Sequence, residues 1–484
     1  MAAYLTPNVP NVGSLNVAPY LPAPALPNIV VEWAAIIPLV CHLADFKRDY
    51  ELVGQMAMTG SISIGIFPRL GVLAGLARLL KNGPDFLDQA SSRGNSSRTV
   101  WDVTWGGSFP TANGSASLMI AKYALGKIKH VIKMPDTIPT KEKQSRTQSA
   151  SSTDSDKTVV QPSSGSQSRN KDSNSQLTQA PSPISAPKAQ NHRRYQTLNV
   201  LRFSRKAPRR SRLHKIHFIS TSTAYRITKF IATAGLTVAL ILFGCYGTAT
   251  IVFSGCISQL ACRASTVERT PGYLESNEGD RDSCMLVGIH QNASVWYLFT
   301  GDRGVVDTLL NKTMISVPQD FKRNALAYIL LFTHCLQLLA MTFTTAQKAW
   351  DGVVLVFLML LEYIWRLQYQ DRLLVRRWLE EEGVEVVAKS FEFTGRTMML
   401  GSIQSFSGSQ TTEWIDGIVT PHPRRDAWLD RLRQLDAEIE DATMLNNEKR
   451  KWGERDWKYI ELSSGLAFAS AAILREEMKQ ELEA

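Results

Sequence analysis

The sequence predicts a mainly α-helical protein with multi-pass transmembrane helices, a small lumenal β-hairpin module and a mixed soluble C-terminal region. Three features lead to this fold class. The stretch from Phe230 to Cys262 carries no charge, the block from Asn324 to Trp365 is strongly hydrophobic, and a basic segment directly precedes the first of them. A membrane-spanning helix needs about 20 apolar residues, and both stretches are longer than that.

The N-terminal region, residues 1–136, is expected to contain apolar segments that are candidates for membrane embedding. Its first 28 residues are rich in proline and lack the basic start of a secretory signal peptide. Two apolar runs follow, Ile29–Ala44 and Met56–Leu80, each interrupted by a proline. We interpret them first as interfacial or helix-packing segments and second as spans.

Residues 137–229 are predicted to be a disordered basic linker. Up to Asn191 the composition is dominated by small polar residues, which cannot bury enough apolar surface to become ordered. The block from Arg193 to Lys229 contains many Lys and Arg and no Asp or Glu. It is typical of the cytosolic flank of a membrane span, with contact to anionic lipid as a compatible role. Aromatic residues are sparse there, so no nucleic-acid partner is expected.

Residues 230–257 are predicted to form the first transmembrane helix, and residues 258–323 a lumenal or extracellular loop module. Two glycosylation motifs in this loop begin at Asn292 and Asn311. Cys262 and Cys284 are a candidate disulfide in an oxidising compartment.

Within this loop, Met285–His290 and Ser294–Thr300 flank the short turn Gln291-Asn-Ala, which predicts a β-hairpin. The following Gly301-Asp-Arg-Gly is expected to lead into a short helix. A lumenal module of this size would need a disulfide or other support to be stable alone.

Residues 324–367 are predicted to form two hydrophobic helices that place His334 and Glu362 at similar depth. Ionisable groups inside a bilayer are costly and usually paired or functional. Two interpretations stay open: Glu362 reaches the interface while His334 stays neutral, or the two handle protons or ions.

The C-terminal region, residues 368–484, is expected to be soluble. A strand pair is predicted around Val384–Phe393, and Arg425–Met444 shows helical spacing of its apolar residues. Arginines directly after the last hydrophobic helix oppose its crossing, so the side of this region stays open.

No nucleotide-binding loop, zinc spacing, nucleophile elbow or kinase motif is present, and no cofactor is expected. The leading hypothesis is a non-enzymatic scaffold or partner-binding protein in the endomembrane system or plasma membrane, with the lipid bilayer and other proteins as its partners. One alternative is a transporter or channel subunit that uses His334 and Glu362. Another is a membrane-bound enzyme without a short motif.

Three segments carry a resemblance: residues 272–312 (GYLESNEGDRDSCMLVGIHQNASVWYLFTGDRGVVDTLLNK), 391–404 (FEFTGRTMMLGSIQ) and 421–432 (PHPRRDAWLDRL). They resemble uncharacterised multi-pass membrane proteins of filamentous fungi over residues 225–440. The resemblance implies a membrane location and a fungal origin, and it assigns no activity and no catalytic residue.

Overall fold

A mixed sheet of seven strands, in the order β2-β1-β6-β7-β4-β9-β3, forms the centre of the structure, which is a computed structural model. It describes residues 21, 27–44, 49–62, 72–91, 97–128, 130–137, 195–205, 227–228, 230–265, 267–270, 272–276, 282–318, 320–346, 350–365, 371–437 and 449–483. The strands are β1 (Thr99–Asp102), β2 (Ser108–Pro110), β3 (Val131–Lys133), β4 (Gln196–Arg205), β5 (Glu268–Arg269), β6 (Ser283–Gly288), β7 (Val295–Gly301), β8 (Ile315–Ser316) and β9 (Val384–Phe393).

Helices cover both faces of this sheet and extend beyond it. They are α1 (Asn28–Ala44), α2 (Asp49–Thr59), α3 (Val72–Asn82), α4 (Pro84–Ser91), α5 (Gly114–Leu125), α6 (Phe230–Leu242), α7 (Tyr246–Ala264), α8 (Arg303–Leu310), α9 (Phe321–Ala346), α10 (Trp350–Trp365), α11 (Asp371–Glu382), α12 (Arg396–Ser407), α13 (Pro423–Asp436) and α14 (Glu454–Glu483).

Strand β4 lies inside the sheet and shows why both faces are covered. It pairs in parallel with β7 and antiparallel with β9 over its full length. Successive side chains of a strand point to opposite faces, and here Leu198 and Val200 enter one core while Leu201 and Phe203 enter the other. All four are buried, as expected for a strand with helices on both sides.

The two cores give the α/β domain three layers. One core joins the sheet to helices α2–α5, α8 and α11, and it also includes the first turns of α9. The other joins the opposite face to α12, α13 and α14. Short β5 and β8 form a separate pair at the side of the first core.

A cluster of helices α1, α6, α7, α9 and α10 projects from the α/β domain, and we call it the helix cluster. Its near end lies at the domain, where Ala261 of α7 and Ala327 of α9 belong to the first core. Helices α6 and α7 form a hairpin whose turn requires a glycine, because Gly244 has φ +77°. At the far end, Asp351 of α10 contacts the start of α7.

The expected multi-pass transmembrane fold is wrong. Among the described residues, α9 is the one helix with the length and apolarity to cross a membrane: it has 26 residues and a mean hydropathy of 1.8. The predicted span 230–257 is divided by the turn at Gly244 into α6 and α7. The block 324–367 does contain two helices, but the second, α10, has only 16 residues.

The predicted division into a linker and a lumenal module is also wrong. Strand β4 lies within the supposed linker 137–229, and β6 and β7 lie within the supposed lumenal module 258–323. The hairpin of β6 and β7 is confirmed, with Met285 opposite Phe299. However, β7 is hydrogen-bonded to β4, so no membrane can separate the two segments.

One large sheet also accounts for segments at both ends of the chain. The predicted C-terminal strand pair is instead a single strand, β9, and it pairs with β4. Helix α3 packs through Leu73, Leu76 and Leu80 in the first core, which agrees with the first interpretation of its run, a helix-packing segment, and not with the second, a span. The N-terminal region 1–136 also contributes three strands to the sheet.

Part of the basic block from Arg193 to Lys229 lies within the folded domain. Arg202 lies 3.6 Å from Asp282 in an ion pair, and Arg205 donates to the carbonyl of Leu274. Residues 206–226 lie outside the described residues. Contact of this block with anionic lipid stays a prediction, although Arg202 and Arg205 are engaged within the domain.

The sheet predicts that distant parts of the chain lie on the same side of a membrane. We expect an epitope tag inserted between residues 160 and 170 and another placed after Ala484 to lie on the same side of any membrane, because β3 and β4 flank the first position within one sheet and α14, before the second, packs on that sheet. Protease digestion of sealed vesicles should remove both tags or neither. Opening the vesicles with detergent should expose both, and loss of one tag alone from sealed vesicles would contradict the topology.

Candidate functional site

The longest helix of the cluster, α9, has its polar residues inside and its large apolar residues outside. Thr333, His334 and Gln337 are buried. Phe332 and Leu339, in contrast, have 65% and 66% of their surface exposed. Helices of water-soluble domains show the opposite arrangement, with the apolar stripe towards the core.

Other helices of the cluster repeat this inversion. In α6, Thr233 and Thr237 are buried while Ile231 is 63% exposed. In α10, Asp351 is buried and Phe357 is exposed; in α1, alanines face inwards and Trp33 faces outwards. The exposed apolar residues therefore surround the cluster as a band, which is larger than the scattered apolar residues of an ordinary surface.

The interior of the cluster is held by small and hydroxyl-bearing side chains at the contact of α7 with α9. The Ser258 hydroxyl donates to the carbonyl of Ser254 at 2.8 Å and lies within hydrogen-bonding distance, 3.1 Å, of the Thr333 hydroxyl. Gln337 is fully buried, and neither of its amide atoms has a hydrogen-bond partner among the described residues. Small residues and interhelical hydrogen bonds are the usual means of helix association in lipid.

The carboxylate of Asp351 is buried and hydrogen-bonded at the far end of the helix cluster. Its two carboxylate oxygens accept from the backbone N–H groups of Gly247 and Thr248, each at 2.7 Å. The hydroxyl of Thr248 donates in return to the backbone carbonyl of Asp351 at 2.8 Å. A carboxylate at a helix N-terminus satisfies free N–H groups and is favoured by the helix dipole. Sequence reasoning missed this residue because its partners are more than 100 positions away.

The predicted polar pair, His334 and Glu362, lies in two different surroundings. His334 is buried in the stripe of α9 that faces α7. Glu362 is half-buried near the end of α10, whose main packing partner is α1. A proton- or ion-handling role of the two together stays a prediction.

Both predicted glycosylation sites are exposed. Asn292 lies in the turn between β6 and β7, where its side-chain oxygen accepts from Arg396 at 2.6 Å. Asn311 follows the last residue of α8 and donates its backbone N–H to Asp307. Glycosylation stays a prediction, and it would place the entire sheet on the lumenal or extracellular side.

The predicted disulfide between Cys262 and Cys284 is wrong. Neither cysteine is disulfide-bonded in the structure, and both are buried. Cys262 lies in the core on one face of the sheet and Cys284 in the core on the other, so the sheet itself separates them.

A second group of buried polar residues lies in the α/β domain at the end of β1. Asp102 accepts from the backbone N–H groups of Thr104 and Trp105 at 2.9 and 3.1 Å, which closes the turn after the strand. Burial raises the pKa of Asp102 above its ordinary value. Burial also raises the pKa of the neighbouring Cys284 thiol, and the charge of Asp102 adds to the effect. A thiol kept neutral in this way is not set up as a nucleophile.

Neither polar group has the composition of a metal centre. Among the described residues, no three or more His, Cys, Asp or Glu side chains are arranged to hold a metal ion. The band of exposed apolar residues around the helix cluster is therefore the feature of this part of the chain that most needs a functional explanation.

Comparisons of this chain with protein-family models, with curated proteins and with solved structures find no match. Fold and site alone define its class. It is a three-layer α/β protein with an attached helix cluster that is polar inside and apolar outside.

Close packing at the far end can be tested with two glycines. A Cβ atom on Gly247 would lie 2.2 Å from the Thr344 hydroxyl and 3.1 Å from the backbone oxygen of Ala340. We expect Gly247→Ala to force α7 away from α9 and to lower the free energy of unfolding by about 1–3 kcal/mol. Thermal unfolding of the purified chain measures the change.

Gly235→Ala is the matched control, because a Cβ atom on this α6 glycine would have nothing within 4 Å. Its helix is expected to be unchanged or slightly stabilised, since alanine favours helix more than glycine does. Equal loss of stability in the two variants would show that the α7–α9 contact is not as close as described.

The raised pKa of Asp102 predicts a pH effect with a definite sign. The unfolded chain loses this proton near the ordinary pKa of about 3.9, whereas the folded protein keeps it to higher pH. As pH rises between the two values the folded protein therefore loses stability. Asp102→Asn should remove this part of the pH dependence, so wild type should lose stability relative to the variant from pH 4 to pH 7. Urea unfolding at both pH values tests this, and a constant difference would contradict it.

Proposed function

We propose that this chain is a membrane-associated protein that inserts α9 and the apolar band around it into a lipid bilayer, which holds the α/β domain at one membrane surface. The proposal rests on the inverted polarity of α9, whose polar side chains face inwards and whose large apolar side chains face outwards. In water, exposing Phe332 and Leu339 while burying Thr333 and Gln337 would be unfavourable twice, because apolar surface stays hydrated and polar groups lose water.

A bilayer removes both costs. Lipid chains are as apolar as the exposed side chains, so the apolar band loses nothing by facing them. The polar residues then gain from facing one another, as Ser258 and Thr333 do. A buried helix of a water-soluble core would also be long and apolar, but only 39% of the most apolar part of α9 is buried.

The connections of the cluster support a position of the domain on one side. The guanidinium of Arg263, at the end of α7, lies over the ring of Phe230 at the start of α6, so this hairpin returns to the level where it began. Helix α10 leads into α11, whose Trp378 lies in the first core of the domain. The excursions through α6–α7 and α9–α10 therefore begin and end on the domain side, whereas the chain before α1 lies at the far end, where Leu21 donates to the carbonyl of Leu242.

We also propose that the α/β domain serves as a scaffold for a protein partner and is not an enzyme. Two buried carboxylates of the described residues already have structural roles. Asp351 satisfies two backbone N–H groups, and Asp102 closes a turn beside a neutral thiol.

Two lysines placed on the apolar band test the membrane proposal. We expect Phe332→Lys with Leu339→Lys to abolish flotation of the full chain with phosphatidylcholine vesicles, since each lysine near the middle of a membrane helix costs about 2.5–3.5 kcal/mol. The matched control is Val131→Lys with Ile289→Lys, which also replaces two exposed apolar residues but in the α/β domain. This control should float like wild type.

Circular dichroism of each variant shows whether it has folded. As a second readout, a water-soluble maleimide should not react with the exposed Cys335 of α9 in membranes of Cys41→Ser protein until SDS is added. A cysteine in place of Val131, with Cys41 and Cys335 changed to serine, should react at once. Flotation of the two-lysine variant at the wild-type level, or immediate labelling of Cys335, would overturn the proposal.

A further inference from the structure

A groove lies between α3 and α9, where the helix cluster meets the α/β domain. Its volume is about 230 Å³. Small side chains, Ala77 of α3 and Ala327 of α9, form its walls. Arg78 and Lys81 line it from α3, and Tyr328 and Leu331 line it from α9. The groove thus combines a basic side with an apolar side.

The basic side follows from the way α3 is packed. Leu73, Leu76 and Leu80 hold this helix in the first core. Arg78 and Lys81 are three positions apart, so they lie on one face of the helix, and that face borders the groove. The helix contains no acidic residue, and Val72–Asn82 is therefore purely basic in charge.

The position of the groove along α9 is the second observation. Ala327 and Leu330 pack in the core of the domain, whereas the outward residues Ile329, Leu331 and Phe332 belong to the apolar band. The stretch from Asn324 to Leu331 rises about 10 Å, which is enough to cross the headgroup layer of about 5–8 Å on one side of a bilayer. Tyr328, which is 63% exposed, is a residue type enriched at that level.

We propose that this groove binds one anionic phospholipid, with its phosphate held by Arg78 and Lys81 and an acyl chain lying along Tyr328 and Leu331. The inference rests on the proposed membrane association and names a lipid class for it. Arginine binds phosphate oxygens through two parallel N–H groups, and lysine adds a point charge. A free phosphate ion would gain nothing from Ala77, Ala327 and Leu331, so the apolar walls favour a lipid as the source of the phosphate.

Titration of the detergent-solubilised full chain with fluorescent phosphatidylserine tests the groove. We expect Arg78→Gln with Lys81→Gln to weaken binding about 30-fold, since each cation near anionic lipid contributes about a fivefold factor. Lys122→Gln with Lys127→Gln is the matched control: it removes the same charge from an exposed part of the domain around α5 and should bind like wild type. Fluorescent phosphatidylcholine should bind weakly to all of these proteins.

A third variant separates shape from charge. Ala74→Leu adds bulk to the α3 wall of the groove without changing any charge, and it should weaken phosphatidylserine binding as well. Equal affinities of the two glutamine variants, or unchanged binding by Ala74→Leu, would overturn the inference. Displacement of the lipid by inorganic phosphate as effectively as by a short-chain phosphatidylserine would identify a free phosphate site and overturn it too.

The same proteins in the phosphatidylcholine flotation assay distinguish the two proposals. Neutral vesicles contain no anionic lipid, so the Arg78 and Lys81 variant should float like wild type. If wild type itself does not float, the membrane proposal fails, whatever the lipid titration in detergent gives. If wild type floats and the titrations of the two glutamine variants coincide, only the lipid site fails.

Discussion

The backbone pairing of β4 is the constraint on which the rest of the structure depends. Ten consecutive residues of this strand pair with β9, and seven of them pair with β7 on the other side. The partners in β7 and β9 lie about 100 and 190 positions further along the chain, so this strand joins segments that would otherwise be independent. A strand inside a sheet has its backbone N–H and C=O groups hydrogen-bonded on both sides. Its two faces are then covered by helices, which produces the layers.

That pairing also sets the geometry of the helix cluster. The chain leaves the sheet after β4, enters α6 and α7, and returns to form β6 and β7. It leaves again through α9 and α10 and returns through α11 to β9. Each excursion must come back to the same sheet, so helices projecting from it form hairpins. Short turns and small residues such as Gly247 then allow those hairpins to pack closely.

Helix α9 connects the two parts physically, because it belongs to both. Its first turns pack with the α3 leucines in the domain core, and its later turns pack against α7 in the cluster. The packing partner of its inward side changes between Leu330, which lies in the domain core, and Thr333, which contacts Ser258 of α7. A single continuous helix across this junction means that the domain cannot turn freely with respect to the cluster. The groove beside α3 lies at the same junction.

Local patterns in the sequence determined the parts of the protein whose contacts are near in the chain. Two strand-like runs on either side of a short turn predicted the β6–β7 hairpin, and Asp302 before the first turn of α8 accepts from Val305 as a helix cap should. The long apolar stretches likewise predicted helices at α9 and α10. Tertiary structure alone decided the rest, for physical reasons that no local pattern contains. Strand β4 lies in a basic segment that resembles a linker, and it is stabilised by partners far away in the chain. The face that each apolar helix turns outwards depends on which polar groups meet inside, as Ser258 and Thr333 do across 75 positions.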